Sequence, residues 1–598
     1  MSISTAIKPN RLTASKGWWF GLAGLTAWSL FNYLWELANG QRSEYYAAIA
    51  LSMSKSWSNF FFGAMDPSGS VTLDKVPGSY WVPAAFVKVF GFSTWSVNAP
   101  NALATVGAVL LVAFAGKQLL NARAGILAGA IVATTPVLAA VARSNQPESF
   151  FLLAMAMVGY FGVRAFILNS TKNLYFAALS VGLAFHFYML EAWASIPALA
   201  LAFLFTDGGR ARKWLHATLA SFVAIASSLT WTALVSLIPA SARPYIGGTN
   251  HNNVWEMVFG YNGLGRFSST ASSGTEAYRS FTPPFGGSAS IVRFFNAQLA
   301  GQIGWLIPTA MVALAVLWIL KSNRAVVVFL TSWFAVMYLM FAEVSGMHQF
   351  YTAVMAMPVS LIVALAYFAA TDAKALWAQI AIIASSVFAA LGITIYYLDY
   401  VWWTPLVGLL IAFGAVALLF VENKWAGRLA AVLAGAALVF TPAVWAMDTI
   451  NHPSSINPAA GDGSMSMGGG FGGNPAGDLN NVNDLVLKYV QQHQGSAHYL
   501  LAVTGGMQAA PYITASNGEQ IIAIGGFNGA DNNMPLKKLQ QLLKSGQLSF
   551  VLLSGSAGGP GSNGGSHATS NQLQSWVEAN LKPVTLNGSA SGLYEYLK

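Results

Sequence analysis

Apolar runs as long as a bilayer is thick recur along this chain, and they decide what most of it must be dissolved in. They lie near 17–37, 97–116, 123–141, 149–168, 174–190, 192–206, 215–238, 301–320, 325–342, 351–370, 376–396, 402–421 and 428–447. A helix of about 20 mostly apolar residues spans the hydrocarbon and satisfies its own backbone there. About thirteen crossings are expected on that measure, with 174–206 the pair least clearly divided. Only 9% of the 598 residues are charged, against about 25% in soluble proteins. The first run lacks a small-residue cleavage site after it, so it reads as a retained span rather than a signal peptide. The absence of cysteine removes disulfides from consideration.

The formal charge of +9 would point to nucleic acid in a soluble protein. Here its distribution supplies a different reason. With the N-terminus inside, the inner loops hold Lys8, Arg11 and Lys16, then Lys117 and Arg123, then Arg164 and Lys172. Arg210, Arg212 and Lys213 follow, then Lys321 and Arg324, Lys374, and finally Lys424 and Arg428. Basic residues in every second loop, all on one side, are the mark of cytoplasmic retention. A multi-pass plasma-membrane protein is expected, with no nucleic-acid partner, a cytoplasmic N-terminus and everything after 447 outside. Two outer loops, 38–96 and 239–300, are long and carry five of the thirteen acids before residue 448: Glu44, Asp66, Asp74, Glu256 and Glu276.

Residues 1–447 thus read as an all-α membrane domain. A Gly-, Ser- and Asn-rich linker is expected over 448–480, and a small soluble domain over 481–598. In that domain the apolar runs 498–505, 520–527 and 548–555 read as buried strands, and 535–546 as a helix. Strands alternating with helices predict a parallel α/β sheet. The Gly-rich stretch 555–566 reads as a loop without phosphate-loop spacing.

Charged and aromatic residues in outer loops are where chemistry is expected. RSEYYAAIALSMSKSW (42–57) brings Glu44 just past the first span, on an amphipathic segment expected to lie in the interface. VTLDKVPG (71–78) sets Asp74 and Lys75 before a proline. A lysine there suits a phosphate head group, and a local Asp–Lys pair is the plainer reading. ARSNQPES (142–149) crowds Arg143, Asn145, Gln146 and Glu148 into one turn at the hydrocarbon edge, where charge is costly; a helix cap is the plainer role for Asn145. HFYMLEAW (186–193) contributes His186 and Glu191. ARPYIGGT (242–249) and GYNGLGRF (260–267) add Arg243, Tyr245, Asn262 and Arg266, and SGMHQFY (345–351) adds His348 and Tyr351. Together these place carboxylates and cations on one membrane face, an arrangement suited to transfer chemistry on a lipid phosphate.

On the segments 43–78, ARSNQPES, IPASARPYIGGTNHN, FGYNGLGRF, FNAQLAGQIGWLIP, GMHQFY and AIGGFNGAD, nearly the whole chain resembles glycosyltransferase family 39. These are the dolichyl-phosphate-mannose protein mannosyltransferases of the GT-C membrane fold, here in the bacterial branch with a C-terminal extracytoplasmic domain. The resemblance implies a polyprenyl-phosphate-linked sugar as co-substrate, a hexose or pentose, and an outer-face acceptor: protein, lipid or cell-wall polymer. It implies Glu44 as general base and Glu148 as the second acid. Lys75, with Asp74 beside it, falls on the phosphate contact. Arg143, Arg266, His348 and Tyr351 become further donor contacts. A divalent cation is left open. Three positions depart from the family pattern. Glu148 stands where Asp is usual, Tyr188 where relatives often carry Lys, and Gln349 where Pro is expected.

Two other classes compete with an inverting transferase. A transporter or flippase would carry charges inside its spans and broken helices in paired halves. A non-catalytic envelope scaffold would tolerate the loss of Glu44, Lys75 and Glu148 together.

Overall fold

The computed structural model describes residues 16–263, 285–397, 402–452, 457–461, 482–527, 529–553 and 568–597. Seven stretches of helix are long and apolar enough to cross a membrane: Thr94–Leu119, Glu148–Ile167, Thr171–Phe203, Arg324–Glu343, Gln349–Asp372, Leu376–Tyr397 and Lys424–Asp448. Ala122–Thr134 with Pro136–Ala142 and Arg210–Ser228 with Thr230–Ser236 form two pairs bent by 65° and 46°, and Gly304–Ile319 and Thr404–Leu419 are shorter. The first expected run is a helix, Lys16–Leu34. The thirteen expected runs therefore fall on straight, bent and short helices, of which, among the described residues, seven are long and apolar enough to cross, or nine if each bent pair is one span. The bend inside 123–141 follows from Pro136. A proline drives the preceding residue out of the helical region, and Thr135 sits at φ −68°, ψ 119°.

Thr171–Phe203 is not one straight rod. The amide of Asn169 donates to the carbonyl of Asp207 at 2.9 Å, so both ends of the stretch meet. The chain reverses at Met189, a non-glycine residue at φ +53°, between helices Thr171–Tyr188 and Ile196–Phe203. The two runs expected over 174–206 are thus separate.

Close helix contacts rest on small residues, as membrane packing requires. At Gly125 an added Cβ would stand 2.5 Å from the Ala113 carbonyl and 2.9 Å from the Trp18 ring.

The C-terminal domain holds a five-stranded sheet: β1 (Leu501–Thr504), β2 (Ile521–Ile524), β3 (Phe550–Leu552), β4 (Lys582–Leu586) and β5 (Ser589–Glu595), in the order β2-β1-β3-β5-β4. The three expected strands are present and mutually parallel. β4 and β5 are antiparallel, so the sheet is mixed rather than purely parallel. The expected helix is Leu536–Lys544. Residues 555–566 lie outside the described residues, as does most of the expected linker. Of its two described parts, 448–452 and 457–461, the second is packed: Gln302 exchanges amide bonds with both backbone groups of Ala460 at 2.9 and 2.8 Å.

The C-terminal domain lies directly on the first long outer loop. Helix Gly506–Ala515 packs on helix Glu44–Lys55, and Phe527 meets the Tyr45 ring edge-on at 4.9 Å. Lys55 Nζ donates to the Asn517 carbonyl at 2.7 Å. Helix Glu44–Lys55 was expected to float in the interface. Ala47–Leu51, which run right round it, are instead buried, because protein rather than lipid covers them.

Candidate active site

Three chain reversals meet beside the C-terminal domain. The first is the loop carrying Asp74 and Lys75, the second the turn 143–148, the third the reversal at 186–191. Ser79 joins them: its hydroxyl lies 2.8 Å from the Pro147 carbonyl and 3.0 Å from that of Phe187. Gly78 permits the approach, since a Cβ there would stand 2.2 Å from the His186 carbonyl. Asn262 closes the other side, donating to the Asp74 carbonyl at 2.7 Å.

The first and third of these segments, with Asn262, border a cavity of about 360 Å³, the size of a small-molecule site. Lys75, Glu191, Asn262 and Tyr351 are its polar lining, and Tyr188, Met189, Leu190, Phe259, Gly263, Met340, Phe341 and Val344 complete the wall. The strained Met189 thus faces it, as strained residues at functional sites often do. Lys75 Nζ bonds Asp74 Oδ1 at 3.0 Å, and both residues are buried. The plain Asp–Lys pair and the cavity role are therefore the same arrangement. Burying two charges is costly unless they pair, and this pair leaves the ammonium on the cavity surface. Lys75 also sits 5.6 Å over the Tyr46 ring, which stacks on Tyr80 at 5.2 Å. Burial pushes the Tyr46 phenol up to about 12, and it feels the charges of Lys75, Asp74 and Glu148. Glu148 is buried at the start of helix Glu148–Ile167, where a helix N-terminus favours an anion.

The remaining expected residues are held elsewhere. Glu44 opens helix Glu44–Lys55 and bonds Arg42 at 2.9 Å. Its other oxygen accepts from the Thr514 hydroxyl at 2.5 Å, so its nearest hydroxyl comes from the C-terminal domain. Asn145 caps no helix. It exchanges two bonds of 2.9 Å with the backbone of Ser43, tying the Glu44 segment to the Glu148 turn. Arg143 is buried and donates to the Asn32 carbonyl at 2.9 Å, which turns it toward the first helix and off the cavity wall. His348 stacks between Phe285 and Phe350 at 5.0 and 4.8 Å and bonds Asn457 at 2.9 Å. It stands behind Tyr351, its ring 5.3 Å away. Arg266 and Glu276 lie outside the described residues. Among the described residues no three His, Asp or Glu gather as metal ligands.

The sequence marks Glu191, which lines the cavity, but gives no sign of Tyr46, one of several aromatics in an amphipathic run. Arg293 is also unmarked. Fully buried, it donates to the carbonyls of Phe341 at 3.1 Å and Val344 at 2.5 Å, fixing that wall of the cavity.

Residues 74–236 match the family described as dolichyl-phosphate-mannose-protein mannosyltransferase. Residues 486–580 match "Putative mannosyltransferase YkcB-like, C-terminal". Two Bacillus subtilis (strain 168) proteins are similar along nearly their whole length. "Putative mannosyltransferase YycA" is 26% identical, over 94% of this chain and 93% of its own. "Putative mannosyltransferase YkcB" is 28% identical, over 90% and 88%. The fold is that of ArnT from Cupriavidus metallidurans. Its apo structure matches with a TM-score of 0.54 and 15% identity, over 97% of each chain. Its complex with undecaprenyl phosphate matches with a TM-score of 0.56 and 16% identity, over 97% of this chain and 98% of that one. Matches in both parts of the chain, full-length relatives and a shared fold identify this multi-pass membrane protein as a glycosyltransferase of the GT-C class with a C-terminal domain.

Proposed function

We propose that the protein transfers a mannose-like sugar, a hexose or pentose, from a polyprenyl phosphate to an acceptor outside the cell. The observation that carries this reading is the buried Lys75 ammonium on the wall of an otherwise mainly apolar cavity. A compact cation at the head of an apolar chamber suits a phosphate esterified to a lipid. The undecaprenyl phosphate bound by ArnT supports the same donor class. The cavity lies on the side of the molecule where the C-terminal domain sits. The basic loops lie at the opposite ends of the apolar runs, which supports an extracytoplasmic site and a cytoplasmic N-terminus.

In the reaction the acceptor hydroxyl loses its proton to Glu44 and attacks the anomeric carbon. The bond to the phosphate oxygen breaks with inversion, and Lys75 stabilises the departing polyprenyl phosphate. The Thr514 hydroxyl donating to Glu44 occupies the position an acceptor hydroxyl would take, which supports Glu44 as the base. Glu148 and Tyr46 stand near Asp74 and Lys75 as contacts for the sugar.

Purified protein incubated with defined polyprenyl-phosphate sugars should release polyprenyl phosphate. Replacing Lys75 by Ala or Glu44 by Gln should each lower turnover by at least about a hundredfold. Glu44→Gln should leave the unfolding temperature unchanged, whereas Lys75→Ala, which strands the buried Asp74 carboxylate, should lower it. A folded Glu44→Gln enzyme with full activity would remove Glu44 from the mechanism, and retained activity in Lys75→Ala would move the phosphate site elsewhere.

A further inference from the structure

We infer that the C-terminal domain is part of the transfer unit: Ala523, Asp531 and Asn533 position the segment that carries Asp74 and Lys75. This rests on the assignment of that pair to the donor phosphate. Strand β2 lies at the edge of the sheet, where backbone groups are left to be paired by something else. At Ala523 the membrane domain supplies one partner. The Asp66 carboxylate accepts from Ala523 N at 2.9 Å, and also from Ser68 Oγ at 2.7 Å and Ser70 N at 2.9 Å. Asn533 takes the Ala523 carbonyl at 2.8 Å and reaches Ser70 Oγ at 3.2 Å. One end of segment 66–75 is therefore fastened to the sheet.

The other end is fastened through an intermediate strap, residues 245–248. Thr72 N donates to the Tyr245 carbonyl at 2.8 Å, and Gly247 N donates to Thr72 Oγ1 at 2.9 Å. The strap is in turn held by Asp531, which accepts from Gly248 N at 3.0 and 3.1 Å. Gly248 is left-handed at φ +72°, and a Cβ there would stand 3.4 Å from Asp74 Cβ. Asp531, Gly248 and Asp74 thus form a short stack that ends on the partner of Lys75. Gly526 makes room for it, since a Cβ there would collide with the Asp531 carboxyl. Burial, with the charges of Asp74 and Glu256, pushes the Asp531 carboxyl up to about 8. A neutral acid can be stacked beside Asp74 where a second carboxylate would repel it.

Asp531 touches neither cavity nor substrate, so its role is positioning. The chain has no native cysteine, so Val71→Cys in the full-length protein gives a single buried thiol on the held segment and leaves the Thr72 contacts intact. Adding Asp531→Ala should raise its labelling rate with a water-soluble maleimide by about tenfold. Without the reporter, Asp531→Ala should lower kcat by about a hundredfold with little change in donor KM. Asp531→Asn imitates the neutral acid and should leave labelling and kcat near those of the parent. Unchanged labelling and kcat in the Ala variant would overturn the inference. So would a loss of kcat shared by Ala and Asn without faster labelling, since that marks a direct chemical role. If the parent protein turns over no polyprenyl donor, the donor assignment fails, and the labelling rates still decide whether Asp531 holds the segment.

Discussion

At the scale of single residues, the site is built from side chains whose partners lie far away in sequence. Glu44 and Thr514 are 470 positions apart. If Thr514 occupies the acceptor's place, Thr514→Ala vacates it. A hydrogen bond to a charged group contributes about 1.5–3 kcal/mol, so acceptor KM should fall by roughly tenfold or more. Steady-state kinetics with varied acceptor measures this, and an unchanged KM would mean that acceptors reach Glu44 by another path. Gly78→Ala tests the junction of the three reversals. Its new methyl meets backbone at 2.2 Å, so a loss of about 1–3 kcal/mol in stability is expected, as for overpacking. The melting temperature of the purified protein reads it. Asp74, Lys75 and Glu148 were legible in the sequence because charge next to long apolar runs is costly and stands out. Tyr46 was not, since it matters only because the chain folds Lys75 over its ring. Glu191 stood out in HFYMLEAW, but its place on the cavity follows only from the reversal at Met189.

At the scale of elements, apolar length and charge were enough to find the helices but not their shape. Pro136 fixes a bend that hydropathy averages away, and the reversal at Met189 leaves no polar gap to betray it. In the C-terminal domain the hairpin of β4 and β5 turns on Asn587 and Gly588, both at positive φ, as the tight turns favoured in hairpins demand. The dipeptide was available to read, but its flanking strands, KPVTL and SASGLYE, are polar and hid it. The contact between this domain and helix Glu44–Lys55 lay beyond periodicity altogether, since an apolar face looks the same whether lipid or protein covers it. Asp531 makes that contact sensitive to pH. Its carboxyl rises from 3.8 to about 8 in place, facing Asp74 and Glu256 and the phenols of Tyr45 and Tyr245. A raised acid favours the docked form when protonated. Docking should be tightest near pH 4, weaken as pH climbs toward about 8, and level off above that. Protease sensitivity of the docked domain across this range is the measurement, with Asp531→Asn reducing the slope and the Asp66 carboxyl, raised by burial at the Ala523 contact, supplying the remainder.

At the scale of the whole molecule, a bundle of membrane helices carries a cavity at one end, and a small sheet domain is seated on the same end. The helical bulk, the change of composition after the last span and the small α/β unit were all visible in the sequence, because lipid and water select different residues. How the two parts meet was not visible, because it depends on single hydrogen bonds to Asp66 and Gly248. The cavity itself has a consequence for which lipids are used. With about 360 Å³ it has room for a sugar phosphate and the first isoprene units, and the rest of a long tail must stay among the acyl chains outside. Recognition is then confined to the head of the donor, while the tail acts as a tether that confines the donor to the membrane plane. In detergent, donors with short prenyl tails should turn over about as fast as long ones at saturation, with any handicap in KM. A steep fall of kcat with shortening would show the tail being gripped. If it is not gripped, lateral diffusion in the leaflet, rather than the grip of the protein, brings the sugar to its acceptor.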